Sequence, residues 1–237
     1  MNQFKAVLLS KQQVAEGVYR LFFCTKDGHF DFVSGQYAIV TIPGQPPLKR
    51  LYSFASSPNT QGTFELLIKI IDGGMGTQYL KNLRVGDCID VAGPAGLFTR
   101  KKTPGRKIYM ATGTGFAPIR SFFLSSPSVS LKDSFLFWGM RTIEETYLFD
   151  ELYSLYTQRG LSFYYCLSKQ ESLSSIPAYL LQFYRTGHIQ DVWKNILGSP
   201  DVNDQYYLCG SRTVVESLRV LLLSLSVPKE RVFFEKY

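Results

Sequence analysis

Two glycine-rich stretches of the chain could bind phosphate groups. "ATGTGFAP", residues 111–118, follows a short apolar run, and "GGMGTQYL", residues 73–80, precedes a helical pattern. Glycine lets the backbone approach a ligand closely, and the first N–H groups of a helix attract anions. Neither stretch is the G-x-G-x-x-G dinucleotide fingerprint, so each one alone also fits an ordinary turn into a helix. Two such stretches in one chain favour phosphate binding.

A third stretch, "RLYS" at residues 50–53, combines a cation, an aromatic ring and a hydroxyl. In a strand, Arg50 and Tyr52 share one face while Leu51 and Ser53 share the other. A twist or bulge at the strand end could turn Ser53 toward the first face. A guanidinium suits phosphate, a phenol ring suits stacking on a flat heterocycle, and a hydroxyl suits a ring edge. An edge strand with a half-buried tyrosine is the alternative.

Two more stretches near the end of the chain could contact a ligand. "YYLCGSR" places Cys209 where a predicted parallel strand ends, and ligands of open α/β sheets bind at that edge. The chain closes with "FFEKY", although termini are usually frayed and polar. A free cysteine is most often a small buried apolar residue. Tyr237 could either stack on a flat ligand or join the core.

The elements that must position these stretches change character near residues 99–106. Before that point, short runs separated by Gly, Pro, Asn and Asp predict strands of an antiparallel barrel, with a helix at "GTQYLKNL" that Thr77 could cap. After it, strand-like and helix-like runs alternate, which predicts a parallel sheet with helices on its faces. We therefore expect a two-domain β + α/β protein, with an antiparallel β-barrel over residues 1–102 and a Rossmann-like α/β domain over residues 103–237.

The second domain is predicted to contain five strands and four helices. The expected strands are "KIYMATG", "SFLFWGM", "LSFYYCLS", "DQYYLCG" and "RVFFEKY". The expected helices are "FAPIRSFFLSS", "IEETYLFDELYSLYTQ", "IPAYLLQFYR" and "TVVESLRVLLLSL". In this arrangement both "ATGTGFAP" and "YYLCGSR" follow strands of the same sheet.

Composition and charge exclude several classes of function. The formal net charge is +7, but the 26 Lys and Arg residues are dispersed, so we expect no nucleic-acid binding and favour a phosphate ligand or an acidic protein partner. No apolar run is long enough to span a membrane, and no signal peptide is recognisable. Two histidines, His29 and His188, offer little for a metal site, so none is expected.

The cysteines indicate a reducing compartment. The four are scattered along the chain without a C-x-x-C pair, at Cys24, Cys88, Cys166 and Cys209. Free thiols in the cytoplasm are the expected state. The spacing also excludes a plant-type iron–sulfur cluster within this chain, which needs clustered thiolates.

Taken together, the stretches resemble the ferredoxin–NADP reductase family, essentially from end to end. In chain order the shared motifs are R-x-Y-S at Arg50, Tyr52 and Ser53, G-x-x-[ST] from Gly74 to Thr77, G-T-G-x-A-P from Gly113 to Pro118, C-G at Cys209 and Gly210, and E-x-Y at Glu235 and Tyr237. "LSKQE" at residues 167–171 is similar to the family's S-R-E-Q.

For the barrel, the resemblance implies a flavin site. Arg50 would hold a flavin phosphate, Tyr52 would lie against the isoalloxazine ring, and Ser53 would bond its N5 region. The diphosphate would bind where the helix of the G-x-x-[ST] motif begins. The resemblance thus marks the following residues as flavin-binding: Arg50, Leu51, Tyr52, Ser53, Gly74, Met75, Gly76 and Thr77.

For the α/β domain, the resemblance implies a site for a nicotinamide dinucleotide. Its pyrophosphate would bind at Gly113, Thr114 and Gly115, beside Pro118. The ribose or 2′-phosphate of the nucleotide would meet Arg141, Ser168 and Lys169, and the nicotinamide pocket would include Cys209, Gly210 and Glu235. Tyr237 would stack on the flavin and move aside for nicotinamide. The residues expected to act in the reaction are Ser53, Cys209, Glu235 and Tyr237.

The resemblance implies FAD, rather than FMN, as the bound cofactor and NADPH or NADH as the electron donor. Lys169 replaces the family's arginine and can pair with a 2′-phosphate as a point charge, which leaves both donors open. The implied activity passes electrons from NAD(P)H through bound FAD to a ferredoxin, flavodoxin or oxygenase component. We expect a cytoplasmic monomer. The alternatives are an NAD(P)H:flavin reductase with free flavin as substrate, against which the intact Tyr52 argues, and a nucleotide-sensing regulatory subunit.

Overall fold

A computed structural model describes residues 2–26, 30–125 and 128–237, so that His29 lies outside the described residues. The chain divides into two compact units. The first unit comprises Met1–Lys101 and Ala117–Pro127, and the second unit comprises Lys102–Phe116 and Ser128–Tyr237.

The described part of the first unit forms a curled antiparallel sheet of six strands, with one helix that lies wholly within the unit and most of a second helix. The strands are β1 (Asn2–Ala15), β2 (Val18–Thr25), β3 (Tyr37–Ile42), β4 (Leu48–Ser53), β5 (Thr63–Lys69) and β6 (Cys88–Ala95), and the helix wholly within the unit is α1 (Met75–Asn82). The strand order is β4-β3-β6-β1-β2-β5, and a bridge between Phe54 and Leu66 connects the end of β4 to β5. The predicted antiparallel barrel is confirmed as this curled sheet.

Phenylalanine rings fill the inside of this sheet. Phe64 of β5 lies 5.3 Å from Phe23 and 5.4 Å from Phe54, measured between ring centroids. All three side chains are fully buried. Alternation along β2 and β5 turns these rings inward because successive strand residues face opposite sides of a sheet. These phenylalanines therefore serve core packing in the first unit.

A buried carboxylate on β5 joins two cations of the first unit. Glu65 is 7% exposed. Arg20 of β2 donates from Nε to one carboxylate oxygen of Glu65 and from Nη2 to the other. Arg120 of helix α2 (Phe116–Leu124), 4% exposed, donates from Nη1 to Glu65 Oε2 at 3.1 Å and to the Ala55 carbonyl at 2.6 Å. The segment that carries Arg120 is thus tied to β5 by a buried ion pair with Glu65.

The described part of the second unit is a parallel sheet of six strands with helices between them. The strands are β7 (Lys107–Thr112), β8 (Ser134–Met140), β9 (Ser162–Leu167), β10 (Tyr184–Thr186), β11 (Gln205–Gly210) and β12 (Val232–Lys236), in the order β10-β9-β8-β7-β11-β12. The helices after α2 are α3 (Phe149–Arg159), α4 (Ile189–Leu197) and α5 (Arg212–Ser224). The predicted parallel α/β sheet is confirmed. None of the described helices is both long and apolar enough to cross a membrane.

Two helix predictions were wrong in detail, and one helix was missed. "IPAYLLQFYR" forms a 3-10 turn, Ala178–Phe183, and then β10, because its aromatic end pairs with β9 at Tyr184 and Tyr165. "IEETYLFDELYSLYTQ" forms a 3-10 turn, Ile143–Glu145, and is α-helical only from Phe149, since Leu148 adopts a left-handed φ of 58°. Helix α4 was not predicted.

We predict that Glu65→Gln destabilises the protein by about 3 kcal/mol, because it removes the carboxylate charge that pairs with the buried Arg120 and the partly buried Arg20. Urea unfolding followed by fluorescence measures this loss as a lower midpoint. Asp90→Asn is the matched control, since Asp90 pairs with Lys5 at the surface, where an ion pair adds little. A Glu65→Gln midpoint equal to that of the wild type would contradict the prediction.

Candidate functional site

In the first unit, the start of α1 lies against the face of β4 that carries Arg50 and Tyr52. A Cβ atom at Gly76 would lie 2.8 Å from Arg50 Cγ and 2.9 Å from the Tyr52 hydroxyl oxygen. Such distances are too short for any side chain to fit without movement. Arg50 and Tyr52 therefore share one face, as alternation predicted, and glycine lets the helix start approach them.

Thr77 has a different role in α1 from the predicted one. Gly74 is the N-cap residue, so the prediction that Thr77 caps the helix was wrong. Thr77 lies in the first turn, where its hydroxyl donates to the Gly74 carbonyl and accepts from the Ile71 N–H, both at 3.1 Å. The hydroxyl closes the loop that precedes the helix instead of capping it. Met75, the first helical residue, is exposed.

The remaining β4 residues divide between burial and solvent. Tyr52 is half-buried, and burial raises the pKa of its phenol to about 12, against a smaller opposing effect of Arg50. Arg50 is exposed and donates to the Lys49 carbonyl at 3.0 Å. Ser53 pairs with Tyr37 in a register that runs unbroken to the other end of β4, so no bulge turns it toward Tyr52. Leu51 is exposed.

In the second unit, the G-T-G stretch forms a tight turn between β7 and α2. Gly113–Gly115 is a 3-10 turn, and Gly113 has a φ of +50°, which glycine adopts without strain. A Cβ atom at Gly115 would overlap the Cys209 carbonyl oxygen, and one at Gly210 would overlap the Thr112 hydroxyl. Two glycines thus let the backbones that follow β7 and β11 touch.

This contact lies at the point where the strand order reverses. β7 has β8 on one side and β11 on the other, and both neighbours run parallel to it. Ligands of open α/β sheets bind outside the carboxyl ends of the strands at such a point. Trp138 of β8 steadies the turn there, because its indole N–H donates to the Gly113 carbonyl at 2.9 Å.

The end of the chain is bound to the same turn. The Tyr237 hydroxyl donates to the Thr112 carbonyl at 3.0 Å and accepts from the Gly115 N–H at 3.1 Å. The Tyr237 N–H donates to the Gly210 carbonyl at 3.2 Å. The residue as a whole is nevertheless 63% exposed, which disfavours core packing as the reason for an aromatic terminus. Tyr237 takes up a backbone donor that the start of α2 would otherwise offer to an anion.

Cys209 and Glu235 lie side by side on β11 and β12, whose register pairs them directly. Glu235 Oε2 is buried with no hydrogen-bond partner among the described residues, and burial raises the pKa of this carboxyl to about 7. Burial, and secondarily Glu235, raises the pKa of the Cys209 thiol well above its usual value. The thiol is therefore neutral, and the carboxyl changes charge close to neutral pH.

The backbones of two cationic residues pair where β8 and β9 end. The Lys169 N–H donates to the Arg141 carbonyl at 2.8 Å, and the Ser168 N–H donates to the Met140 carbonyl at 3.0 Å. Both cationic residues are exposed. From the sequence, Arg141 and Lys169 were separate candidates for binding the nucleotide. Pairing of the two loops brings these residues to one place at the carboxyl edge of the sheet.

Some neighbours of the glycine turn were not singled out from the sequence. Phe116 packs against Trp138 with ring centroids 4.1 Å apart, and Tyr147 meets the edge of the same indole at 4.7 Å. A tryptophan near the carboxyl end of a core strand was the available signal for this cluster. Pro118 lies in the first turn of α2, within the same motif as the turn.

Two family models match the chain. The model of the oxidoreductase FAD-binding domain matches residues 5–99, and the model of the oxidoreductase NAD-binding domain matches residues 109–219.

Curated relatives carry names of electron-transfer proteins. The chain is 31% identical to ferredoxin–NADP reductase B of Sorangium cellulosum, over 99% of the chain and 97% of the relative. It is 30% identical to the reductase component of propane 2-monooxygenase of Rhodococcus jostii, over 88% of the chain. It is 28% identical to the electron transfer component of xylene/toluene monooxygenase of Pseudomonas putida, over 98% of the chain. The matches span 56% and 65% of the two monooxygenase relatives, respectively.

Solved structures share the fold. The cytochrome P450 reductase of Amycolatopsis superposes with a TM-score of 0.86 at 22% identity, covering 99% of the chain and 69% of that structure. A ferredoxin NADP+ reductase from Neisseria gonorrhoeae with bound FAD and NADP superposes with a TM-score of 0.82 at 16% identity, covering 100% of the chain and 99% of that structure.

The raised pKa of Glu235 predicts a pH-dependent stability. The ordinary pKa of a glutamate is 4.5, and the pKa of Glu235 in the folded protein is about 7. Between these two pH values the folded state holds a proton that the unfolded state has lost. The contribution of Glu235 to stability therefore falls as pH rises through this interval. Glu235→Gln stays neutral throughout, so its melting temperature should exceed that of the wild type increasingly from about pH 5 to about pH 8. Thermal melts across this range measure the difference.

The exposed Glu230→Gln provides the control for this pH series, with no comparable trend expected. A difference between Glu235→Gln and wild type that is constant with pH would mean that Glu235 does not titrate in this range.

Proposed function

Because the chain belongs to the ferredoxin–NADP reductase family of flavoprotein oxidoreductases, we propose that it passes electrons from NAD(P)H through bound FAD to a separate acceptor protein. The observation that supports this most is the backbone cradle at the carboxyl ends of β7 and β11. There Gly115 and Gly210 let the two backbones touch, which sets where the backbone N–H groups at the start of α2 lie. Such a cradle at a strand-order reversal suits a dinucleotide.

The first unit has residues that fit FAD. Gly76 lets the start of α1 approach Arg50 and Tyr52 closely, so a diphosphate there would meet backbone N–H groups and a guanidinium together. The half-buried Tyr52 ring would lie against the isoalloxazine, and Ser53 would bond the region of its N5. Gly74, Met75 and Thr77 would shape the diphosphate site, with Leu51 beside the flavin. These roles are part of the proposal.

The second unit has residues that fit a nicotinamide dinucleotide. Gly113, Thr114 and Gly115 would bind its pyrophosphate at the start of α2, with Pro118 in the first turn. Cys209, Gly210 and Glu235 would line the nicotinamide pocket, where the unpartnered Glu235 Oε2 offers a group for a carboxamide to bond. The exposed ring of Tyr237 would stack on the flavin and yield to nicotinamide. These roles in nucleotide binding are likewise part of the proposal.

The residues of the chain would bind, orient and exclude water, while exchange between a two-electron donor and one-electron acceptors would be chemistry supplied by bound FAD. Holding the nicotinamide in position would contribute much of the rate enhancement of the reaction, because the reacting groups are already oriented and need not meet by collision in solution. The neutral Cys209 thiol would not act as a nucleophile, since the thiolate is the reactive form. Electron transfer between the cofactors would need no strong acid or base from the protein.

We propose a ferredoxin, a flavodoxin or an oxygenase component as the acceptor. The relatives' names support this class, and the net charge of +7 suits an acidic partner. We also propose that the protein acts as a cytoplasmic monomer. Four free cysteines support a reducing compartment.

Purification tests the function directly. We expect a yellow protein that retains FAD, is bleached by NAD(P)H under exclusion of oxygen, and then reduces ferricyanide and a ferredoxin. Tyr52→Ala should lose FAD, with a dissociation constant raised at least about tenfold because stacking is removed, while Tyr52→Phe should retain it. Tyr19→Ala, another partly buried tyrosine on the first unit's core, should retain FAD as the control.

Other outcomes identify the alternatives. A colourless protein that takes up no FAD overturns the proposal. Turnover that depends on added free flavin as a dissociating substrate indicates an NAD(P)H:flavin reductase. Retained nucleotide binding without any reduction of ferricyanide indicates a regulatory subunit.

The adjacent cations predict a preference for NADPH. Lys169→Ala and Arg141→Ala should each raise KM for NADPH by about tenfold, because a charged partner of the 2′-phosphate is lost, and leave KM for NADH unchanged. Steady-state kinetics with both donors measure this. Lys194→Ala, an exposed cation on α4, is the control and should change neither value. An equal rise with both donors would show that the pair does not recognise the 2′-phosphate.

A further inference from the structure

A buried tyrosine hydroxyl in the second unit lacks a partner. Tyr147 lies between β8 and α3 and is 5% exposed, and its hydroxyl oxygen has no hydrogen bond within the described ranges 2–26, 30–125 and 128–237. Leaving a buried hydroxyl unpaired costs free energy, so it calls for a reason. The backbone here is fixed, because the Tyr165 hydroxyl donates to the Tyr147 carbonyl at 2.6 Å.

The Tyr147 ring belongs to the cluster that supports the glycine turn. It meets Trp138 edge-on, with ring centroids 4.7 Å apart and an interplanar angle of 79°. Trp138 in turn donates to the Gly113 carbonyl at 2.9 Å. Tyr147 is therefore one side chain away from the turn at the end of β7.

The electrostatic neighbours of Tyr147 point to the same place. Burial is the main cause that raises the pKa of its phenol well above the usual value, and the phenol of Tyr237 and the carboxylate of Glu145 raise it further. Tyr237 is the residue whose hydroxyl occupies the Gly115 N–H. The unpaired hydroxyl thus lies within electrostatic reach of the side chain that fills the cradle.

We propose that the Tyr147 hydroxyl hydrogen-bonds an oxygen of the nicotinamide half of the dinucleotide, on its ribose or its phosphate, once Tyr237 leaves the turn. This inference rests on the proposed function, since it assigns a further binding residue to the same nucleotide site. A neutral phenol can donate to such an oxygen and accept from a ribose hydroxyl. Binding would give Tyr147 the partner that it lacks while Tyr237 covers the site.

Tyr147→Phe separates this role from a structural one. In the FAD-loaded variant we expect the dissociation constant for the oxidised dinucleotide that the wild type prefers to rise about tenfold, as for loss of one hydrogen bond. Adenosine 2′,5′-bisphosphate, which lacks the nicotinamide half, should bind the variant and the wild type equally. The melting temperature without nucleotide should be unchanged or higher, because an unpaired buried hydroxyl has been removed. Calorimetric titration and thermal melts provide the readouts.

Tyr206→Phe is the matched control. Tyr206 is fully buried at the amino end of β11, and its hydroxyl donates to Asp204 Oδ2 at 3.2 Å. This variant loses a bond that exists already, so its melting temperature should fall while nucleotide affinity stays the same. Titrations with ADP and ADP-ribose divide the two oxygen sources. If Tyr147→Phe binds ADP more weakly than the wild type does, the bond is to a phosphate. If Tyr147→Phe binds ADP-ribose more weakly but ADP equally well, the bond is to the ribose.

Equal dinucleotide affinity in Tyr147→Phe and wild type overturns the inference. So does a parallel loss for the dinucleotide and adenosine 2′,5′-bisphosphate with a lower melting temperature, which indicates a structural role. A wild type that binds neither FAD nor any dinucleotide instead refutes the proposed function, and the two failures are therefore distinct.

Discussion

The close approach of two backbones at the ends of β7 and β11 is the constraint on which the second unit's site depends. Gly115 lies against the Cys209 carbonyl and Gly210 lies against the Thr112 side chain, so neither position has room for a Cβ atom. The approach sets where α2 begins and which backbone donors the turn presents. It also sets the place of the chain end, because Tyr237 bonds to Thr112, Gly115 and Gly210.

The first unit uses the same physical device with a different result. Gly76 brings the start of α1 against β4, beside a cation and a ring. A backbone approach that only glycine permits, next to groups that attract phosphate, is common to both units. In the first unit a side chain of α2 is also bound through Glu65, so a buried charge, and not only apolar packing, holds that helix to the sheet.

Burial controls protonation throughout the second unit's site. Cys209 stays a thiol, and Tyr147 stays a phenol, because a low-dielectric surrounding penalises the charged form of each. Glu235 lies at the boundary of this effect, with a carboxyl that titrates near neutrality. A thiol and a phenol held neutral near the glycine turn are suited to binding and orienting a cofactor, which agrees with chemistry that the cofactors supply.

The sequence by itself determined the two sheet types, and it located the motifs from which both sites are proposed. Alternation of apolar residues and the strand–helix order are local along the chain, and so are the spacings in R-x-Y-S and G-T-G. Local pattern also determined that Arg50 and Tyr52 share a face. It failed where neighbours in space decide the outcome. The run "IPAYLLQFYR" became a turn and β10 because β9 was available to pair with it.

Only the tertiary structure decided which distant residues meet. The Glu65 cluster joins residues 20, 65 and 120, and the pairing of the β8 and β9 loops brings Arg141 to Lys169. Burial, which raises the pKa of Glu235 and leaves the Tyr147 hydroxyl unpaired, is likewise a property of the packed chain. Spacing along a sequence specifies what each segment can form, whereas register between strands and exclusion of water depend on segments that lie far apart in the chain.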